Sequence, residues 1–508
     1  MTATAYPAPA TRRLITASLI AGTFMIALDS TIANVALPHI QGNVSASQEE
    51  ITWVLTSYIM AQAIFTPLTG WMAGRFGRKR LMLWSIVGFT VASGLCGLAT
   101  NLEELVLFRL LQGISGAALV PMSQATLLDI NPPEGFGPAM ALFGLGVTFG
   151  PVIGPALGGW LTESFSWRWV FYINLPVGIL AFVGLSASYH ESKPPEARPL
   201  DIFGFVTLAL AIGSLQLMLD RGQSQDWFSS VEVCVEAGAA LLFAYLFIVH
   251  LLTGRKPFID TRLFADRNFL LGSIVGFTIF AGMNATLALL PPMLETVMGY
   301  PVVLTGLVTA PRGLGMMVAM VVTGRLIGRV DERLLFVIGA VCVIWSSHIM
   351  SGFSLDMNTT PTIVSGFLQG VGVGMIFVPL NTMTFATLGM AQRNDGTAMY
   401  TLIRNMGSAI GISVLQALTI RNTAIVHSRL VEDIRPDNPL LSGAAALDFT
   451  QPGALARINA AITHQAAMVS YVDAFWALFV LSIVVAPLLL MMRTRKTAAA
   501  SSHAMSLE

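Results

Sequence analysis

The chain has 508 residues, of which 54% are hydrophobic and 11% charged, with 28 basic and 28 acidic side chains and a mean hydropathy of +0.71. Soluble domains carry roughly 25% charged residues, so this composition excludes an ordinary globular enzyme, and zero net charge gives no footing for nucleic acid. What remains is a polytopic membrane protein, all-α because its apolar runs are too long for barrel strands and a spanning backbone must satisfy itself.

Fourteen apolar segments are expected, the first near 14–36. It carries Asp29 among Gly22, Met25, Ala33 and Ala36 on one helical face, with Ser30 and Asn34 beside them. A carboxylate at that depth costs ~3 kcal/mol on insertion scales, which marks it as a functional residue or as a structural acid held by another helix. The second segment, near 51–71, aligns Tyr58, Gln62, Phe65 and Thr69, a stripe suited to a cavity for amphipathic molecules or to packing. It runs into GWMAGRFGRKRL, where Gly70, Gly74 and Gly77 permit a tight turn and Arg75, Arg78, Lys79 and Arg80 place that turn on the basic side.

A third segment spans 81–99 and a fourth 104–128, in which Arg109 and Gln112 share a face. A buried guanidinium stays charged and needs a partner, and Asp29 is the natural one. The fifth, 138–161, steps Gly150, Gly154 and Gly158 along one ridge, with Gly159 beside it and Pro151 and Pro155 loosening the hydrogen-bond ladder. Such a ridge reads as a tight seam, equally one between two halves that rock past each other. WRWVFYINLPVG then reads as an aromatic belt before the sixth segment, 169–188.

Segments at 203–219 and 231–253 separate six spans before from six after, at 269–294, 302–323, 334–352, 361–389, 400–420 and 473–492. Internal repeats support a duplicated six-helix unit: Gly70, Gly74, Arg75, Lys79 and Leu81 recur at one offset as Gly324, Gly328, Arg329, Arg333 and Leu335, and Gln112–Gly113 as Gln369–Gly370. The resulting organisation is a tail (1–13), an N-terminal bundle (14–188), two inserted helices with linkers (189–268), a C-terminal bundle (269–492) that includes a polar loop over 421–472, and a second tail (493–508). In the repeat Asp29 faces Met283 and Arg109 faces Gly366, so the ionisable pair belongs to the N-terminal half and the C-terminal half shapes a substrate cavity. Its polar candidates are Asn284, Arg312, Asn381, Arg404 and Asn405, each arginine either an anion binder or paired near its helix end.

The short loops opposite the basic ones carry only Arg168 and Arg221, which places both termini on the basic, cytoplasmic side. Cys96, Cys234 and Cys342 imply no disulfide framework. No G-x-x-x-x-G-K-[ST] supports an ATP-driven pump, and the scattered histidines, His39, His348 and His464 among them, offer no metal or catalytic cluster.

LDSTIANVALP (28–38), the turn 70–80, the segment 109–118 and the ridge 150–159 together resemble the major facilitator superfamily, and within it the fourteen-helix drug:proton antiporters; the resemblance covers nearly the whole chain. One departure is Gly74, where the loop signature usually has an acid. The resemblance implies two six-helix bundles with two inserted helices, proton coupling through Asp29 and Arg109, no cofactor, and export of hydrophobic or amphipathic toxic compounds, including antibiotics, across a bacterial inner membrane. Residues 213–230 are similar to the inner-membrane pumps of Emr-type tripartite systems, which implies a periplasmic membrane-fusion adaptor and an outer-membrane channel as partners. A single-component exporter, or a proton-coupled importer of a nutrient or fatty acid, is the alternative.

Overall fold

The structure, a computed structural model, describes residues 6–132, 135–190, 199–254, 259–389, 392–432, 434 and 453–492. Much of the fold follows from where the apolar runs are punctuated. In the N-terminal half α1 (Pro9–Val44) begins with a proline at its first position, where the missing N–H costs nothing, and so starts earlier than expected. The second span is split into α2 (Trp53–Phe65) and α3 (Leu68–Phe76) around Pro67, and Gly77, with φ +89°, turns the chain into α4 (Arg78–Leu98). Asn101 caps α5 (Leu102–Gly116), which gives way to α6 (Leu119–Ile130) where Pro121 has no N–H for the Ala117 carbonyl. α7 (Phe136–Ser164) and α8 (Asn174–Ser188) complete the half.

The inserted pair is α9 (Ile202–Arg221), capped by Asp201, and α10 (Val231–Thr253). Then follow α11 (Arg267–Pro292), α12 (Val302–Leu326), α13 (Glu332–Met350), α14 (Thr360–Ala386), α15 (Arg393–Glu432) and α16 (Ala454–Leu490). Among the described residues thirteen helical stretches are long and apolar enough to span a membrane, and the shorter Trp53–Phe65 makes the fourteenth. Among the described residues the only β pairing is an isolated bridge between Ile327 and Val330.

The repeat is a repeat of packing. In one half α1 packs on α7, α2 on α5 and α4 on α5; in the other α11 packs on α15, α12 on α14 and α13 on α14. The halves meet through α7 against α12 and α14, and through α3 and α6 against α15. α9 wedges against both: Phe65 stacks edge-on to Phe205 with centroids 5.9 Å apart, and Ser413 donates to the Leu219 carbonyl at 3.0 Å. α10 hangs outside α9 with only Val233 and Ala240 of its side chains buried, held by Arg221 pairing with Glu232 and by His250 Nε2 2.9 Å from Asp201. Its outer surface, with Val235, Leu241, Leu242, Ile248 and Leu252, is apolar and exposed.

Two expectations change. The polar loop over 421–472 begins and ends as helix, because nothing from Arg393 to Glu432 breaks the ladder; α15 has 40 residues and α16 37, about 60 and 55 Å at 1.5 Å per residue, against a ~30 Å hydrocarbon core. Their projecting parts are tied by His427 to Asn459 at 3.0 Å. Residues 435–452 of that expected loop and the C-terminal tail lie outside the described residues. The glycine ridge, second, is not the seam between halves. Gly150, Gly154 and Gly158 pack on Ala27–Leu28, Thr31 and Ile32 of α1, within one half. The neighbouring face of α7 makes the inter-half contact: Gly144 against Met320 and Phe377, Thr148 against Met316, and Val152 against Gly313. Helix periodicity identifies a ridge but not the helix across from it.

Candidate functional site

Asp29 of α1 is fully buried and bonded to side chains of two other helices. Arg109 of α5 donates from Nη1 to Oδ2 at 2.5 Å; Gln112, one turn on, donates to Oδ1 at 2.8 Å; and Asn174, at the start of α8, donates to the same oxygen at 2.8 Å. The 3.6-residue period puts Arg109 and Gln112 on one face, and Arg109 Nη1 also reaches Gln112 Oε1 at 2.7 Å. Arg109 Nε donates to the Val54 carbonyl at 3.0 Å, and its guanidinium lies 4.2 Å from the centroid of the Tyr58 ring. Asn174 also donates to Ser93, which donates to the Phe171 carbonyl. The carboxylate thus accepts three donors, while Arg109 Nη2, Tyr58 Oη and Asn174 Oδ1 are buried without a hydrogen-bond partner.

In low dielectric such a pair is held by its hydrogen bonds more than by attraction alone, since desolvating both charges offsets much of the Coulomb gain. Removing either charge strands the other.

The other expected positions spread out. Tyr58 and Gln112 belong to this cluster. Asn34 is exposed, Gln62 half-buried, and Phe65 turns to the inserted helix instead of a central cavity. In the C-terminal half Arg312 donates to the Met283 carbonyl at 2.6 Å, and Asn284 donates to Ser408 at 3.0 Å. Arg404 is buried over the Phe280 ring at 4.6 Å, with Nε and Nη1 unpartnered. Asn381 bridges the halves, accepting from Gln124 at 2.5 Å.

The turn after α3 forms a second polar centre. Arg78 donates to Asp129 at 2.8 Å and to Asn394 at 2.6 Å, and Arg393 of the other half binds the remaining Asp129 oxygen. Gly70 is required by close approach, since a Cβ there would lie 2.3 Å from Asp395 Oδ1. Arg75 is exposed, and Gly74, Gly159 and their surroundings are open. Sequence reasoning missed Asn174, Ser93, Asp129 and Asn394. Asn174 was legible only as a polar residue inside an aromatic stretch, and Asp129 as an acid at a span's end.

A profile of the Major Facilitator Superfamily matches residues 19–412. The fatty acid resistance protein FarB of Neisseria gonorrhoeae is 38% identical over 483 residues, 93% of this chain and 94% of its own, and the multidrug export protein EmrB of Escherichia coli K12 is 35% identical over 472, covering 91% and 92%. Among solved structures the proton:xylose symporter XylE superposes with a TM-score of 0.64 over 95% of this chain and 96% of its own, at 14% identity, a likeness of fold. With the profile spanning most of the chain, two six-helix halves built on one packing scheme and full-length relatives above 30% identity, the chain belongs to the Major Facilitator Superfamily of membrane transporters.

Proposed function

We propose that the chain is a proton-driven exporter of hydrophobic or amphipathic toxic compounds across a bacterial inner membrane, with the basic loops and both termini in the cytoplasm. The observation that carries this reading is the fully buried Asp29, held by Arg109, Gln112 and Asn174, in one half alone. A proton on Asp29 removes the partner of Arg109, and the orphaned Nη2 and Tyr58 Oη are groups that water entering with the proton would satisfy. The names of FarB and EmrB support export of amphipathic compounds over uptake.

In this cycle Asp29 takes a proton from the outside as cargo leaves, and loses it inward as new cargo binds. The membrane potential contributes ~2.3 kcal/mol per charge per 100 mV. The Arg78–Asp129–Arg393 network closes the halves on the basic side and opens when they rock. Met283, Asn284, Arg312, Asn381 and Arg404 shape the cargo side, and the projecting ends of α15 and α16 supply a surface for a periplasmic adaptor leading to an outer-membrane channel.

Dye efflux from proteoliposomes under an imposed proton gradient tests the reading. Wild-type efflux stops with protonophore, and correctly inserted Asp29→Asn is inactive. Undiminished, proton-dependent efflux by Asp29→Asn would overturn it.

A further inference from the structure

Across the repeat, the place of Asp29 is taken by Met283, that of Arg109 by Gly366, that of Gln112 by Gln369 and that of Ser93 by Ser347. Replacing a carboxylate and a guanidinium by a thioether and a hydrogen removes both charges, and Arg312 packs against Gly366. Beside Met283 lies a pocket lined by Met283, Val343, Ser347, Gln369, Leu478 and Ser482, enclosing about 50 Å³ within about 560 Å³ of space continuous with the surface. That exceeds the ~10–15 Å³ a single water needs.

Its polarity is confined to a few groups. Gln369 is 3% exposed, its Nε2 donates to Thr286 at 3.1 Å, and its Oε1 is buried with no partner. In the other half the matching oxygen, Gln112 Oε1, accepts from Arg109. Gln369 is thus an acceptor whose donor was lost with the side chain at 366. No charged residue lines the pocket, which fits a neutral ligand. Leu481, on its wall, is 38% exposed on the outer face of a spanning helix, so the mouth opens sideways into lipid.

We propose that this pocket is a lateral binding site for a neutral single-chain amphiphile, whose hydroxyl or amide N–H donates to Gln369 Oε1 while its aliphatic chain lies along Met283, Val343 and Leu478. The occupant comes either from the bilayer or from the transported compounds. The site rests on the repeat and the pocket, and needs no proton coupling.

The test uses the full chain in phosphatidylcholine nanodiscs and a diazirine-bearing hexadecanol as photoprobe, with peptide mapping. Labelling is expected to saturate and to concentrate in 278–283, 369–376 and 478–486. Gln369→Met should weaken it about tenfold, the worth of one hydrogen bond. Ser482→Phe, which fills the pocket from its lipid-side wall, should abolish the saturable part. Competition by an efflux dye identifies the occupant as cargo, and competition only by unlabelled lipid-like alcohol identifies it as a bilayer component. Asp29→Asn should label like wild type, which separates this site from the coupling mechanism. Non-saturating labelling spread over the spans, or saturable labelling that both pocket variants leave unchanged, overturns the proposal.

Discussion

Arg109 and Arg404 are both buried arginines on spanning helices, one in each half, and the molecule treats them differently. Arg109 is bonded to Asp29, Gln112 and the Val54 carbonyl and stacked on Tyr58, so its position is fixed from four sides. Arg404 has the face of Phe280 and two nitrogens without a partner. The same side chain is a fixed counter-charge in one half and an uncommitted cation in the other. Duplication supplied two similar frameworks, and only one was furnished with a carboxylate and its supporting amides.

The largest expected effect strikes the fixed side. Asp29→Leu leaves Arg109 buried and uncompensated, a cost of about 3–5 kcal/mol, and adding Arg109→Met should restore most of the melting temperature in detergent without restoring efflux. If the double variant melts no higher than the single one, the pair is not what holds these helices. Arg109→Lys comes next: a lysine cannot make the same fork, and losing charge-assisted bonds should cost about 1.5–3 kcal/mol, whereas Arg404→Lys, which gives up mainly a cation–π contact, should cost about 1 kcal/mol. Equal melting shifts would erase the contrast between the halves.

A smaller effect is expected at the junction. Asp129→Asn weakens its ties to Arg78 and Arg393 together, and a cysteine introduced nearby on the basic side should react faster with a membrane-impermeant maleimide in inverted vesicles than in the parent. The smallest is at the opposite surface. Ser47 and Glu50 form a capping box that holds the Glu50 carboxyl below its usual range, chiefly through the Ser47 backbone N–H. A depressed carboxylate contributes stability that is present above its unfolded pKa and is lost as pH falls through the folded one. Glu50→Gln should therefore melt closer to wild type in acid than at neutral pH.

The halves, the insertion, and Asp29 and Arg109 as candidate partners were legible because depth in an apolar run and offset in a repeat are properties of sequence; that the two meet was not. What was not legible is what approaches from elsewhere in the chain. Asn174 lies 145 residues from Asp29, and Asn394 lies 316 from Arg78, separations that no periodicity encodes. The glycine ridge shows the same division: its step of four was plain, and its partner, α1, was not. Phe65 sat on the expected stripe but met the inserted helix, whose presence breaks the symmetry of the original six-helix unit.

α7 touches two things at once. Its ridge rests on α1 over the turn that carries Asp29, with Gly150 against Ala27 and Leu28, and its adjoining face rests on α12 of the other half. Contacts made with no side chain between backbones have little slack to absorb displacement. α7 is therefore a shared wall: one side of the rod bears on the turn that carries Asp29, and the other, at Thr148 and Val152, bears on methionine sulfurs and Gly313 of the opposite half.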